Sequence, residues 1–209
     1  MGGVNAIGDG VAVNLQQRGY KVTRVAGADR YDTAVQVAGH LHDPSTVLLA
    51  TGLDFPDGLT AGAAAGHSLA AVLLTDGATM APATSRYLAV HASDVTYAVG
   101  GAATMAAPAA TPLAGADRYA TAVSVASRLF ATTTRAAVAS GASSADALAG
   151  GVYASNLDTP LLLTDPSTLS TATAAYLNSH RSSVTDATIF GGPAAVSDAT
   201  ASQVAAAIA

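Results

Sequence analysis

Val25-Ala-Gly-Ala-Asp-Arg-Tyr31 and Leu113-Ala-Gly-Ala-Asp-Arg-Tyr119 are nearly the same heptapeptide, and their glycines, Gly27 and Gly115, stand 88 positions apart. The correspondence extends in register on both sides. Ala50-Thr-Gly52 answers to Ala139-Ser-Gly141, Asp57-Gly-Leu59 to Asp146-Ala-Leu148, and Leu73-Leu-Thr-Asp76 to Leu162-Leu-Thr-Asp165. Self-similarity at a fixed long period is the mark of a repeated supersecondary unit, in which each copy buries its apolar face against its neighbours. A further landmark, Gly100-Gly101, recurs as Gly191-Gly192 and as Gly2-Gly3. The chain therefore divides into the tail of a preceding unit (1–22), a first full unit (23–110) and a second (111–209).

Within a unit, short apolar runs alternate with longer amphipathic stretches, the pattern of parallel βαβ construction. The spacing predicts strands at Thr46–Thr51, Ala71–Thr75 and Val95–Val99, matched by Ala136–Ser140, Pro160–Thr164 and Thr188–Phe190. Runs apolar at nearly every position suit a sheet covered on both faces. Helices are predicted between them at Asp29–His42, Asp57–Gly66 and Pro82–His91, with Pro56 and Pro82 at helix starts. Right-handed crossovers then make each unit an α/β, doubly wound, three-layer, Rossmann-like module on a parallel sheet. The linker Gly101–Leu113 is shorter than Gly3–Val25, which removes most of one helix.

Bulk composition narrows the function classes. Of 209 residues 50% are hydrophobic and only 11% charged, with Trp and Cys absent and all 14 acidic residues Asp. Such a chain buries a large core of small side chains, and Asp acts mostly as helix cap and turn residue. A net charge of −5 with a single Lys leaves no basic footprint for nucleic acid. No apolar run approaches the roughly 20 residues that span a bilayer, so no membrane partner is expected. Without Cys there are no disulfides, thiol nucleophiles or Cys-based zinc sites. If the protein is exported, its signal peptide lies outside these residues, since Gly2-Gly3 follows Met1 where a basic segment would stand.

No catalytic residue is assigned: there is no Gly-x-Ser-x-Gly elbow, no recurring Ser/His/Asp set and no Glu. No cofactor or metal is expected either. The glycine turns match neither nucleotide fingerprint, and His40, His42, His67, His91 and His180 lack ligand spacing and are expected to face solvent.

The candidate site residues are those that recur. Asp29 and Asp117 read as helix caps, and Arg30 and Arg118 admit two readings. In one they are structural, satisfying an Asp such as Asp57 or Asp146, or strand-end carbonyls of a neighbouring unit. In the other they fork a phosphate or carboxylate of a polymer. Gly52 with Asp57, Gly141 with Asp146, and the pairs Gly100-Gly101 and Gly191-Gly192 are turns at the carboxyl ends of parallel strands, where doubly wound sheets place ligands and helix N-termini attract anions.

Taken together, Ala114-Gly-Ala-Asp-Arg-Tyr-Ala-Thr-Ala122, Ser140-Gly141 with Asp146-Ala-Leu148, Pro160-Leu-Leu-Leu-Thr164 and Gly191-Gly-Pro-Ala-Ala-Val-Ser-Asp198 resemble the cell wall-binding repeat 2 family. The resemblance spans nearly the whole chain. It implies Rossmann-like modules, usually three around a pseudo-threefold axis, that anchor exported proteins noncovalently to an anionic polymer of the bacterial cell wall. It places the protein outside the cell, at the wall, with either a third repeat or a second copy of the chain as its protein partner. The first unit departs from the pattern at Gly58, at Ala71 and in its short linker.

Overall fold

The computed structural model describes residues 1–209 and contains two parallel sheets. In the first repeat, helix α2 (Arg30–Ala38) leads into β1 (Thr46–Thr51), α3 (Pro56–Ser68), β2 (Ala71–Thr75), α4 (Pro82–Val90), β3 (Val95–Val99) and the short α5 (Gly101–Ala106). The second repeat follows with β4 (Thr111–Leu113), α6 (Arg118–Leu129), β5 (Arg135–Ser140), α7 (Ala145–Asn156), β6 (Leu161–Thr164), α8 (Thr171–His180), β7 (Asp186–Phe190) and α9 (Asp198–Ile208). Ahead of both stands α1 (Asp9–Gln17).

All pairings are parallel, in the orders β2-β1-β3-β4 and β6-β5-β7. Alternation along the central strands feeds two cores. Leu48 and Ala50 of β1 point toward α3, whereas Val47 and Leu49 point toward α2, α4 and α5. Helices on both faces make each repeat three-layered. β4, which opens the second repeat in sequence, is the fourth strand of the first repeat's sheet, with Val99 paired to Leu113.

The repeats share one interior. Helix α3 gives Ala61 and Ala64 to the first sheet and Leu59 and Ala63 to a cluster containing Leu161 and Leu163 of the second. Helix α6 gives Val125 to the first sheet's core and Ala122 and Ala126 to clusters on the two faces of the second. Small residues let α3 and α7 approach closely: a Cβ on Gly66 would run into the Ser155 hydroxyl. On the same interface His67 Nδ1 stands 3.0 Å from Asp158 Oδ1 and its ring stacks on Phe130 at 4.5 Å.

All six predicted strands are present, three with the predicted ends. Helix α2 stops at Ala38, short of His42, because the chain turns at Gly39 and passes through a positive φ at Asp43. The shortened linker keeps only six helical residues in α5, against eleven in α9. None of the histidines is buried, but His67, His91 and His180 are only partly exposed, each stacking one face on an aromatic ring of the core. No helix is long and apolar enough to cross a membrane.

Candidate functional site

The Gly-Ala-Asp-Arg-Tyr segment is a strut between the start of one helix and the end of the neighbouring strand. Asp29 and Asp117 cap α2 and α6, their Oδ1 atoms accepting from Asp32 N and Ala120 N at 2.8 Å. The amides of Gly27 and Gly115 donate to Thr33 Oγ1 and Thr121 Oγ1. Arg30 Nη1 donates to the carbonyl of Gly52 and Arg118 Nη1 to that of Gly141, the latter at 2.6 Å. Tyr31 and Tyr119 lie against the same two glycines, where an added Cβ would come within 2.9 and 2.7 Å of the rings. Tyr31 Oη donates to Asp76 Oδ1 at 2.8 Å, and this bond, with burial and the Asp76 charge, raises the phenol's pKa.

The sequence led to Asp57, Asp146 or a neighbouring unit's carbonyls as partners for the two arginines. The structure instead gives each Arg the strand-end carbonyl of its own repeat. The reason is proximity: the helix carrying the Arg packs beside that strand end, and a guanidinium projects several donors in one plane. The acid that meets Arg118 is Asp54 of the first repeat, 3.5 Å from Nη2, and the guanidinium also lies 5.8 Å from the centre of the Phe55 ring. Asp54 escapes repeat comparison because Ser143 holds its place in the second unit.

The glycine pairs pack against the recurring aspartates. Gly100 has φ +86° and Gly191 φ +114°, and a Cβ on Gly100 would run into the Asp57 carboxylate. At Gly191 an added Cβ would stand 2.9 Å from Asp146 Oδ2. A left-handed turn that also admits a carboxylate this close requires glycine. Each turn amide closes the sheet onto the next unit: Gly100 N donates to Leu113 O at 2.9 Å, and Gly2 N to Val25 O at 2.8 Å.

Two equivalent grooves result, one at each junction. The first, about 560 Å³, sets Gly2, Gly3 and Asn5 against Asp29, Arg30 and Thr33. The second, about 270 Å³, sets Asp54, Asp57 and Gly101 against Asp117, Arg118 and Thr121. Gly52 and Gly141 sit behind the grooves as carbonyl anchors, outside their lining. At the far end of the second repeat Gly191 packs against Asp146 as Gly100 packs against Asp57. The second groove holds three carboxylates to one guanidinium. Burial, then the Asp54 charge, pushes Asp57 up to about 6, with Arg118 pulling the other way.

The two units match, over residues 24–108 and 113–201, the family described as cell wall binding domain 2 (CWB2). The chain belongs to the CWB2 family. It is a tandem of cell wall binding domains, and the strut and groove recur because the domain does. Among relatives, it is 27% identical over 98% of its length to N-acetylmuramoyl-L-alanine amidase LytC of Bacillus subtilis (strain 168), covering 42% of that protein. Its fold is shared with Cwp8 from Clostridium difficile, at TM-score 0.85 and 22% identity over 99% of this chain and 37% of that one. Cwp6 from Clostridium difficile aligns at TM-score 0.74 and 22% identity, over 87% of this chain and 31% of its own. This chain thus spans less than half the length of each.

Proposed function

We propose that this chain binds an anionic polymer of the bacterial cell wall noncovalently and so anchors a surface protein outside the cell. The observation that carries the reading is the CWB2 match across both repeats, and the recurrence of one groove at successive junctions supports it. A repeating polymer is met by repeating sites, each too weak alone but effective when linked. With the chain at net charge −5, attraction must be local. Arg30 and Arg118 each hold a strand-end carbonyl through Nη1. Their remaining N–H donors, with the backbone amides of the Gly2-Gly3 and Gly100-Gly101 turns, are the groups to receive phosphate or carboxylate oxygens.

A second reading is favoured by the LytC relationship. There, by its name, the whole protein is an amidase, and this chain covers 42% of it. On that reading the chain is the accessory wall-binding module of a hydrolase whose catalytic domain lies elsewhere. A purely structural repeat of a surface assembly is the third. For all three, the shallow channel between α3 and α7, about 240 Å³ and floored by Gly58, Gly62 and Gly151 beside exposed Leu148 and Val152, is the seat for a third repeat or a second copy.

Cosedimentation with purified walls before and after acid extraction of their anionic polymers tests the proposal. Binding that is lost on extraction is expected. Equal binding to extracted walls would point to peptidoglycan itself, and no binding to either would leave the structural reading.

A further inference from the structure

The acid that meets Arg118 at the junction of the two repeats is not part of the repeat. Where the first unit has Leu53-Asp-Phe55, the second has Ala142-Ser-Ser144, so the turn from strand to helix forms without it. Nor does the guanidinium depend on it for its place. Arg118 Nη1 donates to the Gly141 carbonyl at 2.6 Å, and one face of the guanidinium lies 5.8 Å from the centre of the Phe55 ring. These contacts leave the Nη2 donors over, and on the groove they meet Asp54 Oδ2 at 3.5 Å.

That pair is long and open to water, with 36% of the Arg118 side chain and 54% of the Asp54 side chain exposed. Exposed pairs of this kind add little to stability and open readily. Asp54 is anchored separately, its Oδ1 accepting from Phe55 N at 2.9 Å. Asp57 and Asp117 line the same groove, but Asp57 packs under Gly100 and Asp117 caps α6, so only Asp54 is bonded to the guanidinium. In chemical terms the arrangement is already that of a bound state. A carboxylate oxygen on a guanidinium N–H stands where a phosphate or carboxylate oxygen of a ligand would stand, held by the same charge-assisted bond.

We propose that Asp54 is a built-in competitor for Arg118, occupying the place of a polymer oxyanion and setting how tightly this groove takes an anionic polymer. The proposal rests on the wall-polymer reading above and adds the residue that tunes it. Binding is then an exchange. The Asp54 carboxylate turns out into solvent as a ligand oxygen takes its place on Nη2, while the Gly141 carbonyl and the Phe55 ring hold the guanidinium still. Asp54 is thus a positioning residue with an inhibitory sign: a residue that merely built the groove would weaken binding when altered, whereas loss of this carboxylate tightens it.

Asp54→Asn tests the exchange, because its amide oxygen can still accept from Phe55 N while the charge is removed. In cosedimentation with unextracted walls it should bind about fivefold more tightly than the native chain, the scale of an exposed ion pair that no longer has to be broken. Asp54→Glu, which restores the carboxylate, should return binding toward the native level. The gain should vanish in an Arg118→Gln background, where there is no guanidinium to occupy, although a general loss of negative charge would act there as well. The guanidinium nitrogen resonances give the same discrimination with Arg118 intact. Titrated with inorganic phosphate, those of Arg118 should shift at a lower concentration in Asp54→Asn than in the native chain, and those of Arg30 at the same concentration in both. Equal wall binding by Asp54→Asn and the native chain, a gain that survives Arg118→Gln, or Arg118 resonances that respond alike in the two proteins overturns the proposal and leaves the polymer reading standing. Failure of both the native chain and Asp54→Asn to bind unextracted walls overturns the two together.

Discussion

Replacing Asp57 by Asn isolates the electrostatics of the second junction groove. In the folded chain the Asp57 carboxyl has a pKa raised from 3.8 to about 6, chiefly because module packing strips its water and secondarily because Asp54 is near. Such a rise corresponds to about 3 kcal/mol, since a tenfold change in an ionisation equilibrium is worth roughly 1.4 kcal/mol. Asp57 retains contact with solvent, so screening reduces this to about 1–2 kcal/mol. The sign follows from linkage. A carboxyl that is harder to ionise when folded is no burden below its unfolded pKa near 3.8; the cost builds as pH rises from there to about 6 and is fully present above it. Urea unfolding of the two proteins between about pH 4 and pH 7.5 is the assay, read as the difference in slope with pH and not in absolute stability, because Asn also alters the first turn of α3. The native chain should lose about 1–2 kcal/mol relative to Asp57→Asn across that window, with the divergence building between about pH 4 and pH 6 and levelling off above about 6. Parallel pH profiles, agreeing within about 0.3 kcal/mol, would refute the placement of a desolvated carboxylate under Gly100.

The same titration bears on ligand binding: an anionic polymer engaging this groove should bind more tightly below about pH 6 than above it, and Asp57→Asn should flatten that dependence in wall cosedimentation. Arg118→Lys should destabilise the chain by about 1 kcal/mol in urea unfolding, because an ammonium cannot hold the Gly141 carbonyl and Asp54 while lying over Phe55. Arg30→Lys, which loses no contact between full repeats, should cost less in the same measurement. Gly66→Ala should destabilise by about 1–3 kcal/mol by wedging α3 from Ser155, and Ser155→Gly in the same chain should recover most of it. A calorimetric scan in which the double variant melts no higher than Gly66→Ala alone would contradict the α3/α7 packing.

Much of the architecture is legible in the one-dimensional pattern because it rests on local chemistry. Near-continuous apolar runs at Thr46–Thr51 and Leu161–Thr164 can only be buried strands between two helical layers, and the recurrence of Gly-Ala-Asp-Arg-Tyr with Gly-Gly defines the unit. Asp29 and Asp117 are caps because Asp before a helix has few better uses. The short linker after Gly101 foretells the missing helix turns of α5.

Contacts between residues distant in sequence are a different matter. That Arg30 and Arg118 reach their own strand-end carbonyls depends on how each helix packs beside its strand, and a long flexible side chain carries no record of its partner in its neighbours. Asp54 becomes the partner of Arg118 only where the repeats meet, and no periodicity marks it because the second unit has Ser143. His67, surface-like by composition, stacks on Phe130 because α3 is drawn between two sheets. The raised pKa of Asp57 arises likewise from what stands opposite. Sequence by itself determined the repeat, its layers and its family, since these follow from the order of apolar and turn residues along the chain. Only the tertiary structure decided which charges face one another and which surfaces stay uncovered, because burial is a property of the packed neighbours of a residue and not of the residue.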